Sequence, residues 1–190
     1  MPRKHSFHPV IHLPKDYSVF DLTTAEGLKA TSQVIFGVGK YLERRPSLYT
    51  AEQYMSSGRD IHMGVDIQAP AGTSIYNFYD GTVFGFDDRS SPQDYGATLI
   101  THHIVDRIDY WVLWGHLSRN SLENKKPGQV IRAGECIGEL GSESENGGWP
   151  PHLHFQVSRE RPEDIDMPGV VNEQQLVRAK QIYIDPRCFL

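Results

Sequence analysis

Pro150-Pro151-His152-Leu153-His154-Phe155-Gln156-Val157 alternates polar and apolar side chains behind two prolines. Side chains two apart in a strand share one face. His152 and His154 therefore point one way, while Leu153 and Phe155 point into the opposite packing layer. Strand-like sequence continues upstream. Ser74-Ile75-Tyr76-Asn77-Phe78-Tyr79 is a β-type run that ends at the turn pair Asp80-Gly81. Thr82 to Phe86, Thr98 to Val105 and Tyr110 to Trp114 follow, rich in β-branched and aromatic residues. From Lys126 to Gly141, glycines separate short apolar pieces, which suits tight turns in an all-β core. Short strands at this spacing predict a mostly β fold, a sandwich or barrel-like sheet.

The flanks read differently. Before position 58 the pattern is irregular and is punctuated by Pro9, Pro14 and Pro46, with a short helical turn at Thr50 to Met55. Asn172 to Lys180 predicts a helix with Asn172 as N-cap and Gln175 at the capping-box position. Tyr183-Ile184-Asp185-Pro186 is placed to close the sheet. We divide the chain into an N-terminal extension (1–57), a β core (58–158) and a C-terminal extension (159–190).

The chain has 190 residues and a net charge of −5. That length predicts one domain. That charge argues against a chain whose main work is neutralising nucleic-acid phosphates. With 38% apolar and 11% aromatic residues there is enough material for a core. Two cysteines, Cys136 and Cys188, make neither a disulfide scaffold nor a thiolate metal site, and neither lies beside a candidate base. Nine histidines are the unusual count. A metal here would take imidazole and carboxylate ligands, a set that suits zinc among other ions.

Three histidine segments stand inside β-forming sequence. Arg59 to Ile67 holds His62 and Asp66. Gly64, Val65, Ile67 and Pro70 argue against a helix there, so the segment reads as a loop turning into a strand, bent at Gly64. Tyr110 to Ser118 places His116 at a strand end beside Gly115, and His152-Leu153-His154 closes the set. Singly, each has an ordinary reading: a surface histidine, a strand-end histidine, a solvated strand face. Jointly they offer the three protein ligands of a catalytic zinc and two further imidazoles for proton handling.

These segments resemble the lysostaphin-type (LytM-like) zinc metallopeptidases. His62-x-x-x-Asp66, Gly115-His116-Leu117 and His152-x-His154 occur in that family's order. Further matches fall at Ala69-Pro70-Ala71-Gly72-Thr73, Asp80-Gly81-Thr82-Val83, Tyr95-Gly96 and the segment from Pro127 to Gly141. The resemblance spans roughly residues 58–158. It implies a two-layer antiparallel β-sheet core, lysostaphin-type or duplicated-hybrid-motif-like, with the metal in a groove on one sheet. It implies one zinc ion held by His62, Asp66 and His154 with water as fourth ligand, and His116 and His152 as the catalytic histidines. It also implies a metalloendopeptidase that cuts peptidoglycan cross-links or stem peptides by zinc-activated water. His102 matches a position near the groove. Tyr95, Asn146 and Trp149 are candidate groove or substrate contacts. His103 has the opposite strand parity to His102, and His5, His8 and His12 read as a surface arm.

The expected partner is a peptide or peptidoglycan fragment, with no nucleic acid. No membrane segment and no signal peptide are visible, so the expectation is a cytoplasmic chain, or an exported one if a leader was trimmed. Two further readings follow from the same residues. One is an intracellular zinc hydrolase of a non-peptidoglycan amide. The other is a non-catalytic regulatory or binding module of the same fold, which would lack ligands that this chain retains. A lipoyl- or biotinyl-type carrier is disfavoured, because Lys125 and Lys126 lack the flanks of an acceptor lysine.

Overall fold

A computed structural model describes residues 6–190, so His5 lies outside the described residues. In chain order the elements are β1 (Ser18–Val19), α1 (Ala25–Ala30), β2 (Gly37–Gly39), α2 (Glu52–Met55), β3 (Ile61–His62), β4 (Val65–Gln68), β5 (Ser74–Tyr76), β6 (Gly81–Arg89), β7 (Gly96–Val105) and β8 (Ile108–Leu117). They continue with β9 (Val130–Ile131), β10 (Cys136–Glu139), β11 (His152–Ser158), β12 (Val170–Val171), α3 (Glu173–Ile182) and β13 (Tyr183–Ile184). The main sheet runs β1-β2-β4-β11-β8-β7-β6-β9, with β13 also paired to β11. Its pairings are antiparallel apart from β1 on β2. Two small antiparallel ladders, β10-β5 and β12-β3, lie beside it.

Alternation along the strands builds a core on each side of the sheet. Val65, Ile67, Leu99, Val112, Trp114, Leu153, Phe155 and Val157 share one buried cluster with Phe78, Ile75 and Ile137. Ile100 and Leu113 point the other way, into a second cluster with Ile61, Met63, Met167, Val171 and Ala179. The second cluster is closed by the C-terminal extension. There α3 carries the expected capping box: the Asn172 side chain accepts from the Gln175 N–H and the Gln175 side chain accepts from the Asn172 N–H.

The N-terminal reading needs correction. Residues 7–13 are not a surface arm. Val10 and Ile11 are buried, and Phe7 packs tilted against Phe78 and edge-on against Phe189. His8, half-buried, and His12, still exposed at the surface, both rest against the Tyr76 ring. The apolar residues between the prolines supply the pull, and the prolines only forbid a helix. His103, of opposite parity to His102, is packed and fully buried. Its Nδ1–H donates to the Asp80 carbonyl (3.2 Å), and its Nε2 accepts from the Thr101 hydroxyl (2.7 Å). That hydroxyl in turn accepts from the Trp114 indole N–H (2.8 Å).

Candidate functional site

Register assembles most of the site. Across the sheet, Gly39 on β2 pairs with Asp66 on β4, Asp66 with His154 on β11, and His154 with Gly115 on β8. These four residues form one row on one face. Directly paired residues bring Cβ atoms to within about 5.5 Å, so the carboxylate and the imidazole meet without any loop rearrangement. The glycines of the site leave room for its side chains. A Cβ on Gly64 would stand 2.6 Å from His154 Cε1, and one on Gly115 would stand 2.7 Å from the Tyr95 ring. The chain does bend at Gly64, as the sequence predicts, but without a positive φ; what requires a glycine there is close approach. His62 enters from β3, whose backbone is tied to the N-terminal extension by Leu42 N–H to His62 O and His62 N–H to Glu43 O, both 2.9 Å.

Three atoms converge. His62 Nε2 lies 3.1 Å from Asp66 Oδ1, His154 Nδ1 lies 3.1 Å from the same oxygen, and the two nitrogens are 3.0 Å apart. Each side chain is occupied at its other end. His62 Nδ1–H donates to the Lys40 carbonyl (3.2 Å), and His154 Nε2–H donates to Gln156 Oε1 (2.9 Å). The Gln156 amide is oriented by its own N–H bond to the Pro168 carbonyl (3.3 Å). Asp66 Oδ2 accepts from Arg45 Nη1 at 2.6 Å. The tautomers that satisfy these bonds leave two nitrogen lone pairs and one carboxylate oxygen facing a common point. Acceptors facing acceptors repel unless a cation lies between them. Ligand atoms about 2.0–2.1 Å from a tetrahedral zinc are themselves about 3.3 Å apart, so this donor set fits such an ion. Among the described residues it is the one His/Asp/His group compact enough to hold a metal.

Electrostatics agree with ligation. Burial, with Arg45 nearby, lowers the His62 pKa to about 4, which keeps the imidazole neutral. Burial alone would raise Asp66, but the Arg45 guanidinium bonded to it helps hold the carboxyl well below its ordinary value.

His116 and His152 lie side by side next to the cluster, their rings tilted by 43° with centroids 4.3 Å apart. His116 Nδ1–H donates to the Asn146 carbonyl (3.0 Å), and His152 Nδ1–H donates to the Pro150 carbonyl (2.7 Å). Both Nε2 atoms are thereby left as acceptors, and that of His152 lies 3.8 Å from Asp66 Oδ1. Burial lowers both pKa values, His116 the further because His152 and His154 add to it. His116 also adopts a left-handed backbone, φ 66°, held by its N–H to the Tyr95 carbonyl and by the Gly141 N–H to its own carbonyl, both 2.9 Å. A non-glycine residue in that region costs energy that its surroundings must supply.

The other expected groove residues divide. Trp149 lines the groove, edge-on to Tyr49 and His116. The Tyr95 ring lies 5.2 Å from that of His154, and its hydroxyl donates to the Met167 carbonyl (2.8 Å), so it braces the site from behind. Asn146 is fully buried. Its side chain bonds Trp149 N–H and Trp149 O (3.0 and 2.8 Å), which shapes the loop and leaves no amide group for a substrate. His102 is not brought to the site. It pairs across β7 and β8 with Trp111, stacks on that indole and bonds Asp109 at 2.7 Å. The expectation placed it by a position in the motif. The sheet register puts it five residues along β7 from Ala97, the end that pairs beside His116.

Sequence reading missed Arg45, Glu43, Tyr49 and Gln156. Gln156 was accessible, since it continues the parity of His152 and His154. Arg45 was not, because nothing separates it from Arg44 in sequence. The groove above the cluster, with a cavity of about 230 Å³, is lined by Tyr49, Tyr54, Arg59, Trp149 and Asp166 as well as by the histidines.

The family model described as Peptidase family M23 matches residues 60–167, more than half of the chain. The chain belongs to peptidase family M23. The M23 region contains His62, Asp66, His116, His152 and His154, whereas Arg45 and Glu43 precede it. Among curated proteins, the chain is similar to the peptidoglycan DD-endopeptidase ShyC of Vibrio cholerae, 28% identical over 130 residues, covering 63% of this chain and 28% of that protein. It is also similar to the DD-carboxypeptidase/endopeptidase Mpg of Neisseria meningitidis, 33% identical over 97 residues, covering 51% of this chain and 20% of that protein. The chain thus spans less than a third of the length of these relatives. Among solved structures, a zinc-containing peptidase from Vibrio cholerae shares the M23 fold at TM-score 0.50 and 24% identity, covering 86% of this chain and 41% of that one. No helix among the described residues is long and apolar enough to cross a membrane.

Proposed function

We propose that this M23 domain is a zinc-dependent peptidase that hydrolyses peptide bonds of peptidoglycan, with His62, Asp66 and His154 holding the ion. The observation that carries the reading is the three-acceptor cluster, 3.0–3.1 Å on each edge, whose outer partners aim every lone pair inward. Zinc bound there supplies Lewis-acid polarisation of the scissile carbonyl and of a water. The chain supplies the rest. His116 and His152 are neutral at pH 7 and present Nε2 acceptors, so either can take the proton of the attacking water and return it to the leaving amine. The carbonyls of Asn146 and Pro150 keep the two rings in that tautomer and accept a stronger hydrogen bond once a ring becomes imidazolium. Trp149, Tyr49 and Tyr54 wall the groove and give a peptide chain an apolar surface to lie on. The peptidoglycan-cutting relatives ShyC and Mpg support this substrate class.

Zinc-loaded protein incubated with muropeptides, oligoglycine peptides and small amides tests the assignment, with product masses naming the bond. Cleavage of a muropeptide that stops on chelation and returns with zinc is expected. Turnover that survives zinc removal, verified by metal analysis, defeats the metal reading. Cleavage confined to the small amides defeats the substrate reading. His154→Ala is expected to lose metal, and His152→Ala to keep metal and lose turnover.

A further inference from the structure

Arg45 stands outside the M23-matched residues yet touches the cluster directly. Its side chain is 1% exposed, and Nη1 reaches Asp66 Oδ2 at 2.6 Å. Its Nε and Nη2 both donate to Glu43 Oε2 (3.2 and 2.9 Å), and Nη2 lies 3.4 Å from the Lys40 carbonyl, the group that also orients His62. Glu43 is held in turn by the N–H groups of Leu22 (3.2 Å) and Lys40 (3.0 Å). The backbone adds a further tie, Arg45 N–H to Asp60 O at 2.7 Å. Gly39 keeps the space open, since a Cβ there would stand 2.9 Å from Arg45 Nη2.

We infer that Arg45 is a positioning residue of the metal centre: it grips Asp66 Oδ2 so that the carboxylate offers zinc Oδ1 alone. The inference rests on the metal-site reading above. A carboxylate binds zinc through one oxygen or through two, and the second mode needs Oδ2 to turn toward the ion. Here that turn breaks a short charge-assisted bond to a guanidinium that neither withdraws nor loses its proton. The segment from Lys40 to Arg45 thus supplies the outer partners of two of the three ligands, and the centre is completed by sequence that precedes the family domain.

The test uses the whole chain, stripped of metal and reloaded. Zinc affinity is read by competition with a chromophoric chelator, and coordination by the visible spectrum of the cobalt-substituted protein. Arg45→Met is combined with Glu43→Gln so that Glu43 is not left as a buried carboxylate without its guanidinium partner. That double variant is expected to bind zinc about 10- to 100-fold more weakly, with cobalt bands of reduced intensity as Asp66 adds its second oxygen. Arg45→Lys, which keeps the charge without the fork, is expected to fall between wild type and the double variant. Arg44→Met, an exposed control, is expected to match wild type in both readouts. A folded Arg45→Lys or double variant with wild-type zinc affinity and an unchanged cobalt spectrum overturns the role of Arg45 and leaves the metal centre standing. A wild-type chain that binds neither ion overturns both.

Discussion

Acidification toward pH 4 is expected to cost the fold about 3 kcal/mol through one buried imidazole, His103. Burial lowers its pKa from the ordinary 6.5 to about 4. The ring lies 4.5 Å from that of Phe78, between the Thr101 hydroxyl and the Asp80 carbonyl. The unfolded chain takes up a proton as pH falls through 6.5, and the folded chain does so only near 4. Stability from this group is therefore complete above pH 6.5, declines between 6.5 and 4, and is flat below that window. Each pH unit of separation is worth about 1.4 kcal/mol, and 2.5 units give about 3 kcal/mol. His62, His116 and His152, also lowered by burial, titrate in the same direction, so the measurement is a difference. Urea unfolding is followed from pH 7.5 to pH 4 for wild type and for His103→Gln, whose amide can accept from Thr101 and donate to Asp80. Wild type should lose about 3 kcal/mol more than the variant across the window. Parallel curves, agreeing within about 0.5 kcal/mol, would refute the assignment of a neutral, proton-resistant His103.

Gly64→Ala sets a methyl group 2.6 Å from His154 Cε1 and 3.0 Å from the Phe155 carbonyl. It should cost about 1–3 kcal/mol by overpacking, and displacing a ligand ring should weaken zinc binding in the same chelator assay. Gln156→Leu leaves the buried His154 Nε2–H without a partner. A loss of about 1–3 kcal/mol by urea unfolding is expected, with zinc affinity down about 10-fold or more, and unchanged affinity would contradict the outer-partner role. Asn172→Ala removes the α3 cap. It should cost about 1 kcal/mol, or about 2–4 °C of melting temperature, without changing metal content.

Much of the site is legible in the sequence because its residues lie in local patterns. His152 and His154 share a face by strand parity, and their neighbours Leu153 and Phe155 carry the alternate positions into the core. His62 and Asp66 flank a glycine in a segment too β-branched for a helix. Motif position misled for His102, because identical chemistry at another register points at Asp109 instead of the groove.

Arg44 and Arg45 mark the boundary between the two kinds of information. As letters they are equivalent: adjacent, equally charged, both ahead of Pro46. Pairing of Arg44 with Ile61 in an antiparallel bridge sets their sides. Arg44 then faces outward to Asp60 and Glu173, and Arg45 turns inward to Glu43 and Asp66. Sequence alone determined the β strands, the imidazole and carboxylate candidates and the strand faces, because each depends on spacing within one segment. Tertiary structure decided which ring nitrogens converge on Asp66 and which arginine grips it, because those depend on hydrogen-bond partners that the chain brings together only by folding.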